Sequence, residues 1–352
     1  MATSSSPSSS PSSSPQPTPK PSLDPARWTP PRDRGLTGPF APTDAVHGLE
    51  LWPVPGGGPE DIAVDAAGTV YTGVGDGSIL RITDEGRVIE RVAHTGGRPL
   101  GVELAPDGTL VVSDCERGLL GVDPASGAVT VLVDAVDGRP LTFTNNASVA
   151  GDGTIYFTES SSKFTLAHLK GDMLEHRGLG RLMRRGPDGA VDVLLTGLDF
   201  ANGVALSADE SHLMVAETGG YRVSRVWLTG ERAGSRDVLL DNLPGFPDNI
   251  SLGPSGLFWM PIVSERNALL DRLLPLPGAL RKAVWALPDA LQPDASRSLL
   301  VVGFDADGSV RVVLEGPGDR YHYVTGVREH DGWLYLGSLE EDAVARVRRP
   351  GA

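Results

Sequence analysis

The sequence predicts an all-β fold, a six-bladed β-propeller, and three observations carry that expectation. The 352 residues include 44 Gly and 29 Pro among many short apolar runs, a composition of many strands and turns. A turn followed by a β-rich apolar run recurs six times along the chain. Each of these runs follows a second short strand, and the six preceding strands align without gaps.

The recurring run appears at Gly68-Thr69-Val70-Tyr71, Gly108-Thr109-Leu110-Val111 and Gly153-Thr154-Ile155-Tyr156. It returns at Ser211-His212-Leu213-Met214, Gly256-Leu257-Phe258-Trp259 and Gly332-Trp333-Leu334-Tyr335. The intervals are 40, 45, 58, 45 and 76 residues, and a propeller blade spans roughly 40–45. The two long intervals place insertions in the third and fifth units, at about 160–180 and 262–297. Both fall between second and third strands, on one face of the propeller. In the second, Leu269, Leu270, Leu273 and Leu274 form one helical stripe, and Leu280, Val284, Trp285 and Leu287 the next. These stripes are expected to pack on the propeller or to form an apolar lid; peripheral membrane contact is the weaker alternative, because Arg281 and Lys282 are the only clustered charges of the needed sign.

The preceding strands read Glu60-Asp61-Ile62, Leu100-Gly101-Val102, Asn145-Asn146-Ala147, Asn202-Gly203-Val204, Asp248-Asn249-Ile250 and Thr325-Gly326-Val327. As the innermost strands they line the axial channel. Side chains alternate along a strand, so the first residues of the triplets converge at one mouth. Glu60, Asn145, Asn202 and Asp248 thereby form an incomplete ring of oxygen donors, with Leu100 and Thr325 in the gaps. Asn and Asp at strand starts commonly make turns. Acceptors at four of six equivalent positions point further, because carboxylates crowding an axis repel one another unless a cation joins them. Hard oxygen donors without Cys or His suit Ca²⁺, and admit another divalent cation.

Composition narrows the partners. A net charge of −14 excludes a phosphate backbone as the natural partner. No apolar stretch approaches the ~20 residues of a transmembrane helix. The Ser/Pro-rich start, residues 1–25, reads as a disordered tail, leaving 26–352 as the propeller. It lacks the charged start and apolar core of a signal peptide, and the single Cys115 excludes an intramolecular disulfide. A cytoplasmic address is the resulting expectation.

The motifs GPEDI (58–62), GRPLGV (97–102), GTIYFTESSSKF (153–164), FANGVALS (200–207), LPGFPDNI (243–250) and REHDGWLYLGS (328–338) give the chain a family resemblance. Over about residues 45–348 it resembles the strictosidine synthase-like proteins, most closely their adipocyte plasma membrane-associated protein branch. The gluconolactonases and paraoxonases belong to the same calcium-propeller superfamily. The resemblance implies calcium ligands at Glu60, Asn145, Asn202, Asp248 and Asn249. It also marks two departures. Thr325 stands where condensing strictosidine synthases carry a glutamate, with Glu329 deeper on the same strand, and Leu100 stands where paraoxonases carry a histidine.

The chemistry that remains is calcium-dependent hydrolysis of a hydrophobic lactone or aryl ester. Asp248 is the base that the gluconolactonase resemblance implies, and His322, on the approach to the mouth, is an alternative because imidazole titrates near neutrality. A non-catalytic, calcium-stabilised propeller that binds a small molecule or protein is the competing reading. An amine–aldehyde condensing enzyme ranks last. Glu217 with Arg222 and Arg225 reads as an inter-strand ion-pair cluster; Asp114 and Glu159 end their strands toward the metal face and read as polar turn residues, with a pocket lining the less common alternative.

Overall fold

The structure, a computed structural model, describes residues 19–351. Six antiparallel sheets stand around one axis, as the repeat predicts. Blade 1 comprises Ile62–Val64, Val70–Gly73, Ser78–Thr83 and Val88–His94, and blade 2 Pro99–Leu104, Leu110–Asp114, Gly118–Val122 and Val129–Val133. Blade 3 runs Thr144–Val149, Ile155–Glu159, Gly180–Arg185 and Val191–Leu198, and blade 4 Ala201–Leu206, His212–Glu217, Arg222–Trp227 and Arg236–Leu240. In blade 5 the inner strand is broken into Gly245–Pro247 and Ser251–Leu252, both paired with Phe258–Glu265; Ser298–Phe304 and Val310–Pro317 follow.

Blade 6 closes the ring. Val324–His330, Trp333–Ser338 and Ala343–Arg348 come from the end of the chain, and the outermost strand, Glu50–Pro53, comes from near its start. Asp44–Ala45 adds a short parallel strand to the rim of blade 5. Both additions cover edges that would otherwise offer unpaired backbone groups. The core lies between blades: Val302, Met260 and Met214 bridge blades 5 and 4, and Leu336, Val324 and Trp259 bridge 6 and 5.

The insertions carry three short helices: α1, Leu169–Glu175, in the first, and α2, Ala268–Leu273, with α3, Gly278–Trp285, in the second. The second insertion begins later than expected, because the strand through Ile262 continues to Glu265. The expected tail, 1–25, lies outside the described residues up to 18. From Lys20 onward the chain is a belt across the insertions. Leu23 is buried, Ala26 donates its amide to Glu175 O (2.8 Å), the Trp285 indole donates to Pro21 O (2.8 Å), and Trp28 stacks on His176 at 4.1 Å. The Ser/Pro composition hides Leu23, which anchors this belt.

The stripe expected for α3 and the residues after it is split. Trp285 and Arg281 are buried and Val284 is half-buried, whereas Leu280 and Leu287 are exposed. The Arg281 guanidinium donates to Leu174 O at the end of α1 (2.9 Å), and this turns the leucines outward.

Candidate metal centre

The inner strands do more than alternate. In blades 2, 3 and 4 the pairing with the second strand shifts register across the first two residues of each triplet. Thr144 faces Glu159 and Ala147 faces Phe157, leaving Asn145 and Asn146 in a β-bulge. The same shift spans Leu100-Gly101 and Asn202-Gly203, and blade 6 shifts between Val324 and Gly326. A bulge re-aims side chains that strict alternation would send to opposite faces. In blades 2, 3 and 4 both residues of a triplet therefore approach the axis, where alternation alone predicts only the first; in blade 1 Glu60 and Asp61 precede the paired strand.

Crowding at the second position is relieved by composition. Asp61, Asn146 and Asn249 occupy blades 1, 3 and 5, and Gly101, Gly203 and Gly326 occupy blades 2, 4 and 6. A Cβ on Gly203 would lie 2.2 Å from the Ile250 amide nitrogen, and one on Gly101 2.7 Å from Asn145 O. Three side chains fill this layer because six do not fit. Asp61 accepts from Asn146 Nδ2 (3.1 Å) and the Val102 amide (3.2 Å), and Asn146 Oδ1 accepts from the Val204 amide (3.1 Å).

The first positions form the floor of a cavity of about 1010 Å³, counted out to its open mouth. Glu60, Leu100, Asn145, Asn202, Asp248 and Thr325, one from each blade, all line it. Hydrogen bonds fix the two amides. Asn145 Nδ2 donates outward to Ser160 Oγ (2.9 Å), and Asn202 Nδ2 to Thr218 Oγ1 (3.1 Å). Asn249 Nδ2 donates to both oxygens of Glu60 (3.3 and 3.2 Å).

With the nitrogens spent, the oxygens are left over. Asn145 Oδ1, Asn202 Oδ1, Asp248 Oδ1 and Asn249 Oδ1 are all buried without a hydrogen-bond donor among the described residues. Each such orphan costs about 1–3 kcal/mol, so three on the cavity floor with a fourth on the adjoining Asn249 call for a shared partner. The carboxylates agree. Burial, then the charges of Asp248 and Asp61, raise Glu60 well above the usual range. Burial, together with Asp61, pushes Asp248 up to about 8. A cation would relieve both, and the set of amide and carboxylate oxygens fits a hard divalent ion. Among the described residues no three His, Cys, Asp or Glu side chains gather at a metal-sized site, so any ion here depends on the amides.

The structure does not bring His322 to the cavity. Its backbone amide donates to Glu341 Oε1 (3.1 Å), and its ring faces Glu341 (2.5 Å) and Glu340 (3.4 Å). The next residue, Tyr323, adopts a left-handed conformation (φ 51°) and lines the cavity instead. Burial, then Asp248, raises its hydroxyl, which stays protonated at neutral pH. The irregular backbone before an inner strand leaves no periodic signal that would choose 323 over 322. Glu329 is likewise removed from the axis, where it accepts from the Trp259 indole (2.7 Å) and pairs with Arg349 (3.0 Å). Thr325 donates its hydroxyl to Glu60 O (2.6 Å).

The strand-end carboxylates are structural and share one task. Asp114, Glu159 and Glu217 accept the backbone amides of Arg98 (3.0 Å), Thr142 (2.7 Å) and Asp199 (3.1 Å), each just before an inner strand. Glu217 pairs with Arg222 (2.6 Å) and Arg236; Arg225 turns to Asp237 instead (3.1 Å).

Above the floor the walls are apolar: Phe143, Phe200 and Leu339 from the propeller, Leu166, Leu169 and Met173 from the first insertion, and Leu270 from α2. Lys170 and Asp294 join the two insertions across the mouth (3.1 Å). Both insertions thus roof the ring.

Comparison with known proteins agrees with this architecture. The strictosidine synthase profile matches residues 145–231, and the strictosidine synthase-like N-terminal profile matches 38–82. The adipocyte plasma membrane-associated protein of Salmo salar is 37% identical over 316 residues, covering 82% of this chain and 75% of the relative. The chain belongs to the strictosidine synthase-like family. The Homo sapiens adipocyte plasma membrane-associated protein is 34% identical over 315 residues (82% and 75% covered). Strictosidine synthase-like 7 of Arabidopsis thaliana is 32% identical over 295 residues (82% and 78%). Among solved structures, a gluconolactonase from Xanthomonas campestris superposes with a TM-score of 0.63 at 20% identity, covering 95% of this chain and 99% of that one. A calcium-binding regucalcin from Agrobacterium tumefaciens gives 0.61 at 14% (87% and 95%). At those identities the likeness is one of fold.

The expected cytoplasmic address does not stand, because the relatives are named for association with the plasma membrane. That expectation rested on the composition of the first residues, the single cysteine and the lack of a long apolar stretch, none of which bears on attachment to a membrane surface. Among the described residues no helix is long and apolar enough to cross a membrane.

Proposed function

We propose that this chain is a membrane-associated, calcium-dependent hydrolase of hydrophobic lactones or aryl esters. The observation that carries the reading is a group of four orphaned oxygens, those of Asn145, Asn202 and Asp248 at the floor of an apolar cavity and that of the adjoining Asn249. Glu60, Asn145, Asn202, Asp248 and Asn249 would hold the ion. When bound, calcium supplies Lewis acidity toward a carbonyl oxygen.

The chain's own residues supply the rest. Phe143, Phe200, Leu166 and Leu270 bind an apolar acyl or aryl group and exclude bulk water. Asp248 takes a proton from the attacking water as its oxygen bonds to the carbonyl carbon. The same proton goes to the leaving oxygen as the acyl carbon–oxygen bond breaks. Tyr323, protonated at neutral pH, is a donor for an oxygen of the substrate. The gluconolactonase and regucalcin likenesses support the fold's capacity for a metal and a lactone, without assigning either to this chain.

A second reading, a non-catalytic propeller with a structural ion, is favoured by the burial of the oxygens beneath the roof. Condensation of an amine with an aldehyde is disfavoured, because Thr325 replaces the glutamate and its hydroxyl is engaged by Glu60 O.

A panel of alkyl-substituted lactones and phenyl esters, assayed with calcium and after chelation, separates these readings. Calcium-dependent turnover that falls about 100-fold or more in Asp248→Asn is the expected result. Loss of thermal stability on chelation, with no turnover in either state, would establish the non-catalytic reading.

A further inference from the structure

We propose that the outer face of the second insertion is a lipid-docking surface that seats the cavity mouth on a membrane with anionic headgroups. The inference rests on the membrane association proposed above and is independent of hydrolysis. Among the described residues nine large apolar side chains are exposed, and five of them, Leu269, Leu276, Leu280, Leu287 and Leu291, lie within 23 positions of this one insertion. The other four, Leu51, Val88, Val131 and Val238, are scattered singly on the outer strands of blades 6, 1, 2 and 4. Single exposed apolar residues are ordinary; a concentrated group marks an interaction surface.

The orientation of α3 sharpens the point. A helix on a water-facing surface turns its charges outward and its leucines in. Here Arg281 is fully buried while Leu280, Ala283 and Leu287 face out. Trp285 and Val284 turn inward beside the guanidinium, while Leu280 and Ala283 share the outer side of the helix with Lys282.

Charge and position choose the occupant. The exposed charges between Ala268 and Leu291 are Arg272, Lys282 and Asp289, and Asp289 is paired with Lys20 (2.6 Å). Among the described residues Arg272 and Lys282 have no acidic partner, so the patch is positive on a chain of net charge −14. A second copy docked about a two-fold axis would set two positive patches of the same kind face to face. Anionic headgroups complement them. The inner side of the same insertion, through Asn267, Leu270 and Pro293, lines the cavity. An apolar ligand dissolved in the bilayer would therefore enter without crossing water.

Co-flotation of the full chain with vesicles of phosphatidylcholine containing phosphatidylserine tests the proposal. The chain should float with these vesicles, and less with phosphatidylcholine alone. Leu276→Gln combined with Leu280→Gln, Leu287→Gln and Leu291→Gln should lower the partition coefficient on the order of 100-fold, with melting temperature unchanged. The pair Arg272→Glu and Lys282→Glu leaves the leucines in place and should abolish only the preference for anionic vesicles. Equal flotation of wild type and the leucine variant, or none by wild type, would overturn the inference. A wild-type dimer that the leucine variant converts to monomer would also overturn it, assigning the face to a second copy.

Discussion

At the scale of single residues, the donor ring was legible in the sequence because gap-free alignment of six short strands depends only on spacing. Glu60, Asn145, Asn202 and Asp248 reach one cavity floor as that alignment expects. The amide hydrogen bonds that leave the Asn oxygens free were not legible. They depend on Ser160 and Thr218, each the residue that follows the second strand of the same blade. His322 was misplaced for a related reason, since one left-handed residue decides which of two neighbours turns inward. The carboxylates at this site also yield a pH dependence. Without metal, Asp248 (about 8), Asp61 (about 6, raised by burial) and Glu60 all have folded-state values above their unfolded ones. Their contribution to stability is fully present below the unfolded values near 4 and is lost as pH rises through the folded values toward 8. A cation removes the repulsion and competes with protons. The rise in melting temperature on adding calcium should accordingly be larger at pH 8 than at pH 5.5, as measured by scanning fluorimetry. An equal rise at both would separate the ion from these carboxylates.

At the scale of the element, the inner strand is defined by its bulge and by the alternation of glycine with larger residues. The sequence displays that alternation, yet a period-two reading assigns the second residue of each triplet to the opposite face. Only the register shift shows why Gly101, Gly203 and Gly326 are needed. Gly203→Ala places a methyl group against the Ile250 amide and the Asn249 backbone, which cannot move without disturbing Asp248. Overpacking of this kind costs about 3 kcal/mol. Urea denaturation should show that loss together with weakened calcium binding. Gly108→Ala, with a turn φ of 87° but open space around it, should lose stability through strain alone and keep its calcium affinity. The helices belong to the same scale. Their apolar content was plain, but which side faces out is decided by Arg281 reaching Leu174, a contact across 107 positions.

At the scale of the whole molecule, six blades followed from six repeats, while closure of the ring did not. Glu50–Pro53 looks like any short apolar strand, and its partner lies about 290 residues away in blade 6. Trp52 in this strand is buried and packs edge-on to Tyr335 at 5.6 Å, so it fastens the two ends of the chain. Trp52→Ala should cost about 3–5 kcal/mol in equilibrium unfolding and destabilise all blades in one transition. Separate unfolding of blade 6 would show that the closure is not cooperative.

The whole reading of the site rests on one cation shared by the four orphaned oxygens. Calorimetric titration of chelator-stripped protein with calcium tests it most directly. One site per chain is expected in the wild type, with affinity falling at least ~10-fold in Asn145→Ala and in Asn202→Ala. An absence of calcium binding, or binding that both variants leave unchanged, would contradict it.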